Sequence, residues 1–323
     1  MTPAKQGIIA LILANIIWGA ASPIFKLALT NIPPFTLAFL RFFIASILLA
    51  IVLRKSLAYP IRTKKDFLLL LGYALFGIVL NIIFFFLGLE HTLAMNAPVI
   101  ISSQPIMTFL FSALFLHEPI RKKKIAGVTV GFMGILVIIL EPLLLQGLDG
   151  SIEGNLYLIL ATACAALSTI IGHRIFSRLN PLTVLFYAFI VSTALLCPFA
   201  ALEYTKTPLL YAQLDIRGIG GILFGSVFSS LVAYSAFSWG LSKIKATDAS
   251  LFAYVDPIAG TILSYFLLHE PITVPFIVGT FLIFLGIYIA ERRINYHPIL
   301  ALLSGKKQQL HQTVAGVLEK SGS

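Results

Sequence analysis

The chain repeats itself. Gln104-Pro105-Ile106 leads to Phe115-Leu116-His117-Glu118-Pro119-Ile120, and Asp256-Pro257-Ile258 leads to Leu267-Leu268-His269-Glu270-Pro271-Ile272. Pro105 and Pro257, like His117 and His269, stand 152 residues apart. Upstream, Leu11-Ile12-Leu13-Ala14 matches Leu158-Ile159-Leu160-Ala161, and Pro34 with Thr36 matches Pro181 with Thr183, both at a spacing of 147. Paired hydrophobic halves with proline interruptions at corresponding places point to a transporter whose site lies between the halves.

Composition sets the solvent in which the halves fold. The chain is 59% hydrophobic and 11% charged, with a mean hydropathy of +0.97, against about 25% charged in a soluble domain. Its apolar runs have the length needed to cross a hydrocarbon core, roughly 17–25 residues. We place ten of them near 7–27, 35–53, 67–89, 94–116, 124–141, 154–173, 181–203, 217–240, 246–268 and 274–291. The expected fold is an all-α polytopic membrane protein of ten transmembrane helices. Five spans per half is an odd number, so the two five-helix repeats should be inverted relative to one another. The repeats fall at 1–146 and 147–292, joined through the glycine-rich Gln146-Gly147-Leu148-Asp149-Gly150-Ser151. A cytoplasmic tail follows at 293–323, with Pro298-Ile299-Leu300 and Leu302-Leu303 forming either an interfacial helix or part of a disordered terminus.

The net charge of +10 is topological rather than a nucleic-acid footprint. With the N-terminus inside, 19 of the 23 Lys and Arg residues collect on the inner side, among them Arg121 to Lys124 and Arg292 with Arg293. The outer loops carry Glu90, Asp149, Glu153, Asp215 and Glu270. This bias puts both termini in the cytoplasm, and no basic groove interleaved with aromatics is present for nucleic acid. Cys164 and Cys197 lie inside apolar runs and read as small packing residues. The first apolar segment reads as a retained span rather than a cleaved signal peptide.

Several chemistries are excluded by spacing. A zinc helix of the His-Glu-x-x-His type needs a second histidine, whereas Arg121 and Thr273 occupy the fifth positions and a proline follows each Glu. There is no Gly-x-Ser-x-Gly elbow and no phosphate loop, so neither an intramembrane enzyme nor direct use of ATP is supported, and no cofactor or metal is implied. A channel would need a continuous polar stripe, and only patches are present.

The candidate site residues are the polar and aromatic groups concentrated in particular spans. Asp256 is the acidic residue deepest in any span, where a carboxylate is expensive and usually functional. It either carries a coupling proton, meets a substrate ammonium, or bonds backbone groups freed by Pro257. Its counterpart Gln104 is neutral. Arg41 lies nearly two turns into its span and should pair with a neighbouring helix or an anionic group. Lys26 either snorkels to the outer interface or joins a charge pair. Asn15, Trp18 and Ser22 on the first span, Ser103 with Gln104 on the fourth, Ser230, Tyr234 and Trp239 on the eighth, and Tyr254 on the ninth are the expected substrate contacts. Ser226, Ser229, Ser230 and Tyr234 recur at spacings of four and five, one serine-rich face. The glycines Gly127 and Gly134, echoed at Gly279 and Gly286, suit close helix approach, either between the repeats or between protomers of a homodimer.

Read together, Trp18-Gly19 with Phe25-Lys26, Pro34 with Arg41-Phe42, Ser103-Gln104-Pro105 with His117-Glu118, and Tyr254-Val255-Asp256-Pro257 with Leu268-His269-Glu270-Pro271 resemble the EamA-like transporters of the drug/metabolite transporter superfamily. The resemblance covers about residues 5–292. It implies two inverted five-helix repeats alternating access around a central cavity, in a bacterial inner membrane. The solute would be a small organic metabolite, such as an amino acid or a drug, moved by a proton-coupled exporter, a facilitator or an importer. The family's commonest residue before the repeat proline resembles Glu, so Gln104 and Asp256 are departures that leave Asp256 as the single coupling candidate of its kind.

Overall fold

The computed structural model describes residues 3–54, 63–116, 122–146, 152–208, 210–244 and 249–291. Apolar runs become helices, and capping groups fix where they begin. Helix α1 is Pro3–Leu29 and α2 is Pro34–Leu53, with proline in the first turn, where its missing N–H is harmless. Thr63 caps α3 (Lys64–Ala74) by accepting from the Asp66 amide. Asn180 caps α9 (Pro181–Lys206), and Asp215 caps α10 (Ile216–Leu223).

Two long segments depart from α geometry. A π-helical stretch, Leu75–Leu80, joins α3 to α4 (Asn81–His91), and a longer one, Phe224–Tyr234, joins α10 to α11 (Ser235–Leu241). Two more are broken at proline. Helix α5 (Asn96–Ile101) gives way to α6 (Gln104–Leu116) just before Pro105, and the 3-10 turn Ser250–Val255 gives way to α12 (Asp256–Leu268) just before Pro257. Proline supplies no N–H to the preceding turn. At the first break, the Ser102 and Ser103 hydroxyls donate to the Val99 and Ile100 carbonyls, each at 2.6 Å. The remaining helices are α7 (Lys122–Gln146), α8 (Ile152–Phe176) and α13 (Val274–Glu291).

Buried polar side chains lie among a large apolar core, while other large apolar side chains remain on the surface. Asn15, Asn96, Asn155, Arg41 and Asp256 are buried, while Phe266 is 70% exposed and Phe281 is 64% exposed. A surface of large apolar side chains, with polar and charged groups kept inside, is what a hydrocarbon solvent selects. Among the described residues, six helical stretches are long and apolar enough to cross a bilayer: 5–29, 34–53, 64–91, 152–176, 181–206 and 216–241. The chain is a multi-pass, all-helical membrane protein. Cys164 is buried as expected, but Cys197 is exposed on α9, because its face of that helix turns outward.

The halves exchange helices reciprocally. Helix α1 packs among α10, α11 and α12, while α8 packs among α3, α4, α5 and α6; α2 pairs with α9, and α7 with α13. The last pair answers the question left open by the glycines: they join α7 to α13 within one chain. A Cβ at Gly134 would lie 2.6 Å from the Gly279 carbonyl oxygen, so backbone touches backbone there.

Carboxylates clasp the halves at one end. Glu203 accepts from the Phe35 and Thr36 amides at 3.0 and 2.6 Å, closing the start of α2. Glu270 accepts from the Ala94 and Met95 amides at 2.6 and 2.9 Å. It follows His269, which ends α12 in the left-handed conformation (φ 52). Glu141 accepts from the Thr273 hydroxyl. The joint at 147–151, the segment from His117 to Arg121 and the tail beyond 291 lie outside the described residues.

Candidate functional site

The broken and π-helical segments converge on a cavity between the halves. Gln104 and Asp256, each the residue before a repeat proline and the first of its half-helix, both line it. Half-helix starts aimed at a midplane cavity are the usual build of a solute site in transporters. Gln104 donates to the Thr169 hydroxyl at 2.9 Å. Asp256 is 3% exposed, and its Oδ1 has no hydrogen-bond partner among the described residues. Its backbone lies hard against α1, where a Cβ at Gly19 would stand 2.6 Å from the Asp256 carbonyl oxygen.

The lining obeys the sequence repeat. At the 152 spacing, Gly77 pairs with Ser229, Ile82 with Tyr234, and Phe85 with Phe237. Ile101 with Ala253 and Gln104 with Asp256 continue the series. At the 147 spacing, Trp18 pairs with Ala165, Ala21 with Ser168 and Ser22 with Thr169, and every one of these residues faces the cavity. Equivalent positions of the two copies therefore build opposite walls of one chamber.

Aromatic groups tie those walls to the irregular backbone. The Tyr234 hydroxyl donates to the Gly77 carbonyl at 3.1 Å, linking one π segment to the other. Trp18 Nε1 donates to the Ser229 carbonyl at 3.1 Å, and its ring meets Tyr234 edge-on at 5.1 Å. Side-chain donors thus satisfy carbonyls that π geometry leaves poorly matched, as lipid demands.

Arg41 reaches in from α2. Its Nε donates to Ser230 Oγ at 2.7 Å and its Nη2 to Ser229 Oγ at 2.8 Å, and its Cζ stands 5.0 Å from the Phe25 ring centre. The expected serine-rich face is present, because spacings of four and five suit the i→i+5 bonding of the π segment.

Of the expected contacts, Asn15, Trp18, Ser22, Gln104, Tyr234, Asp256 and Arg41 line the cavity. Ser230 sits behind it, holding Arg41. Ser103 is spent on the helix break. Trp239 is turned away from the lining, with Lys243 Nζ 5.7 Å from its ring centre. The side chain of Tyr254 lies outside the described residues. Lys26 also lies away from the cavity: its Nζ donates to the carbonyls of Leu89, Glu90 and Thr92, closing the C-terminal end of α4. Sequence reasoning missed Tyr73, Asn81, Phe85, Phe237, Ser168 and Thr169. The repeat held a signal for one of them: Thr169 is the counterpart of Ser22.

The profile of the EamA-like transporter family matches the chain twice, at residues 5–140 and 152–291. The chain belongs to the EamA-like transporter family. A relative from Archaeoglobus fulgidus, described as an uncharacterized transporter, is 32% identical over 287 residues, spanning 88% of this chain and 98% of its own. A protein of Escherichia coli strain K12, described as a probable amino-acid metabolite efflux pump, is 24% identical over 293 residues, spanning 88% of this chain and 94% of its own. The fold is shared with a crystallised protein at a TM-score of 0.62 and 18% identity, covering 90% of this chain and 99% of that one.

Proposed function

We propose that this EamA-like protein is a secondary exporter of small organic metabolites, amino-acid-like solutes foremost, working by alternating access in a bacterial inner membrane. In this reading ten spans form two inverted five-helix repeats, 1–146 and 147–292, with both termini and the 293–323 tail cytoplasmic. The observation that carries it is the cavity whose facing walls come from equivalent positions of the two halves. Such a chamber can be exposed to either side by rocking one half against the other, which is how repeat-built transporters move a solute past a fixed site. The Glu270 clasp on the Ala94 and Met95 amides supports inversion, since it joins the end of one repeat's broken span to the start of the other's. The description of the Escherichia coli relative supports an amino-acid-like cargo.

Asp256 meets the cargo's ammonium or carries the coupling proton, and Trp18, Tyr234 and Phe237 enclose its apolar part. Flux measured in proteoliposomes loaded with labelled amino acids tests this reading. Asp256→Asn should abolish pH-driven efflux while leaving the protein folded; unchanged flux with unchanged pH dependence removes Asp256 from the mechanism. Cysteine accessibility tests the topology, with residues 120 and 270 expected on opposite faces.

A further inference from the structure

We propose that Arg41 selects for a carboxylate on the transported solute, with Asp256 receiving the ammonium of the same molecule; this rests on the transport reading above and deepens it. Arg41 is 1% exposed, lines the cavity and has no carboxylate within ion-pair distance among the described residues. Its acceptors there are the hydroxyls of Ser229 and Ser230, two neutral groups for a guanidinium with five N–H donors. A charge buried so deeply is retained at a large desolvation cost unless an anion offsets it.

Packing alone does not require the arginine. At the 147 spacing Arg41 corresponds to Ala188, which is fully buried on α9 and does not line the cavity. Helix α9 packs on the first π segment as α2 packs on the second, so the same arrangement is built with a methyl group in that place. The charged residues of the lining are Arg41 and Asp256, and neither has a charged counterpart: Ala188 and Gln104 stand at the equivalent positions. The asymmetry gives the cavity one cationic and one acidic end.

Arg41 and Asp256 line the same cavity, so one solute that carries both a carboxylate and an ammonium can meet both side chains. Ser229, which lines the cavity and accepts from the guanidinium, keeps an O–H to donate to the same carboxylate.

The test is binding to purified full-length protein by thermal shift and calorimetry, comparing L-phenylalanine and L-leucine with their carboxamides. Wild type should bind each acid about 10–100-fold more tightly than its amide, the value of a charge-assisted hydrogen bond. Arg41→Gln should bind acid and amide equally weakly, and Ser229→Ala should shrink the preference while Ser230 still holds Arg41. The wild-type comparison needs no variant, so a misfolded Arg41→Gln leaves the proposal open to refutation. Equal binding of acid and amide by wild type, no binding of either acid, or a preference that survives Arg41→Gln would overturn it. Flux of another metabolite that Arg41→Gln leaves intact would sink this inference but spare the transport reading. Acid-selective binding without flux across proteoliposomes would do the reverse.

Discussion

Gly286→Ala should open the seam between α7 and α13. A Cβ at this position would stand 2.3 Å from the Gly131 amide nitrogen, 2.5 Å from the Gly127 carbonyl oxygen and 2.6 Å from the Gly131 Cα. All three are backbone atoms, so no rotamer change relieves the overlap. Ordinary contact begins near 3.4 Å, which means the helices must part by about 1 Å along much of the seam. Gly134 and Gly279, which meet in the same groove, would lose their close approach with it. Overpacking costs typically about 1–3 kcal/mol, and alanine's better helix propensity returns at most about 1 kcal/mol. Against another Gly→Ala change, which gains the same propensity, the expected loss is therefore about 1–3 kcal/mol, read by reversible unfolding in mixed micelles or by steric trapping. Gly220→Ala is the matched control: nothing lies within 4 Å of its Cβ, and it should be neutral or stabilising. If Gly286→Ala proved as stable as Gly220→Ala, the two helices would not touch through their glycines, and the pairing of the halves along this seam would be wrong.

Glu270→Ala should leave the buried Ala94 and Met95 amides without acceptors, costing about 1–3 kcal/mol, measured in the same unfolding assay. Burial raises the Glu270 carboxyl above the ordinary glutamate value of 4.5, against the pull of the two amides and Lys26. The folded state therefore takes up this proton at higher pH than the unfolded chain. Wild-type stability relative to Glu270→Ala should rise as pH falls from neutral through that raised value towards 4.5 and level off below it; a difference independent of pH would contradict the assignment. Tyr234→Phe keeps the ring against Trp18 but removes the bond to the Gly77 carbonyl, for about 0.5–1.5 kcal/mol. Lys26→Met uncaps α4 at Leu89 and Thr92, and hydrogen exchange at the end of that helix should quicken while amino-acid binding in the cavity is unchanged.

The site was legible wherever covalent chemistry forces a local outcome. Pro105 and Pro257 cannot donate to the preceding turn, so Gln104 and Asp256 had to stand at breaks, and both face the cavity. Trp239, expected as a contact because its span is rich in polar and aromatic groups, does not line the cavity. The π segment Phe224–Tyr234 changes the register of everything after it, and the residue beside Trp239 that turns inward is Ser238. Nothing in the composition of Phe224–Tyr234 marks it as π-helical, since the same apolar and serine residues satisfy either ladder. Lys26 was ambiguous for another reason: its partners are carbonyls of a helix end 63 or more residues away, and a carbonyl carries no side-chain signature.

The sequence by itself determined the solvent, the duplication and the places where helices break, because hydropathy, repeat spacing and proline's missing N–H act locally. It also marked Gly127, Gly134, Gly279 and Gly286 as points of close approach. Tertiary structure alone decided that these glycines meet one another across the halves, that Arg41 lies on Ser229 and Ser230 with no carboxylate beside it among the described residues, and that Trp239 does not line the cavity. Those outcomes depend on which helix lies beside which and on how far each is rotated. Rotation is set by the sum of many packing contacts rather than by any residue's own chemistry.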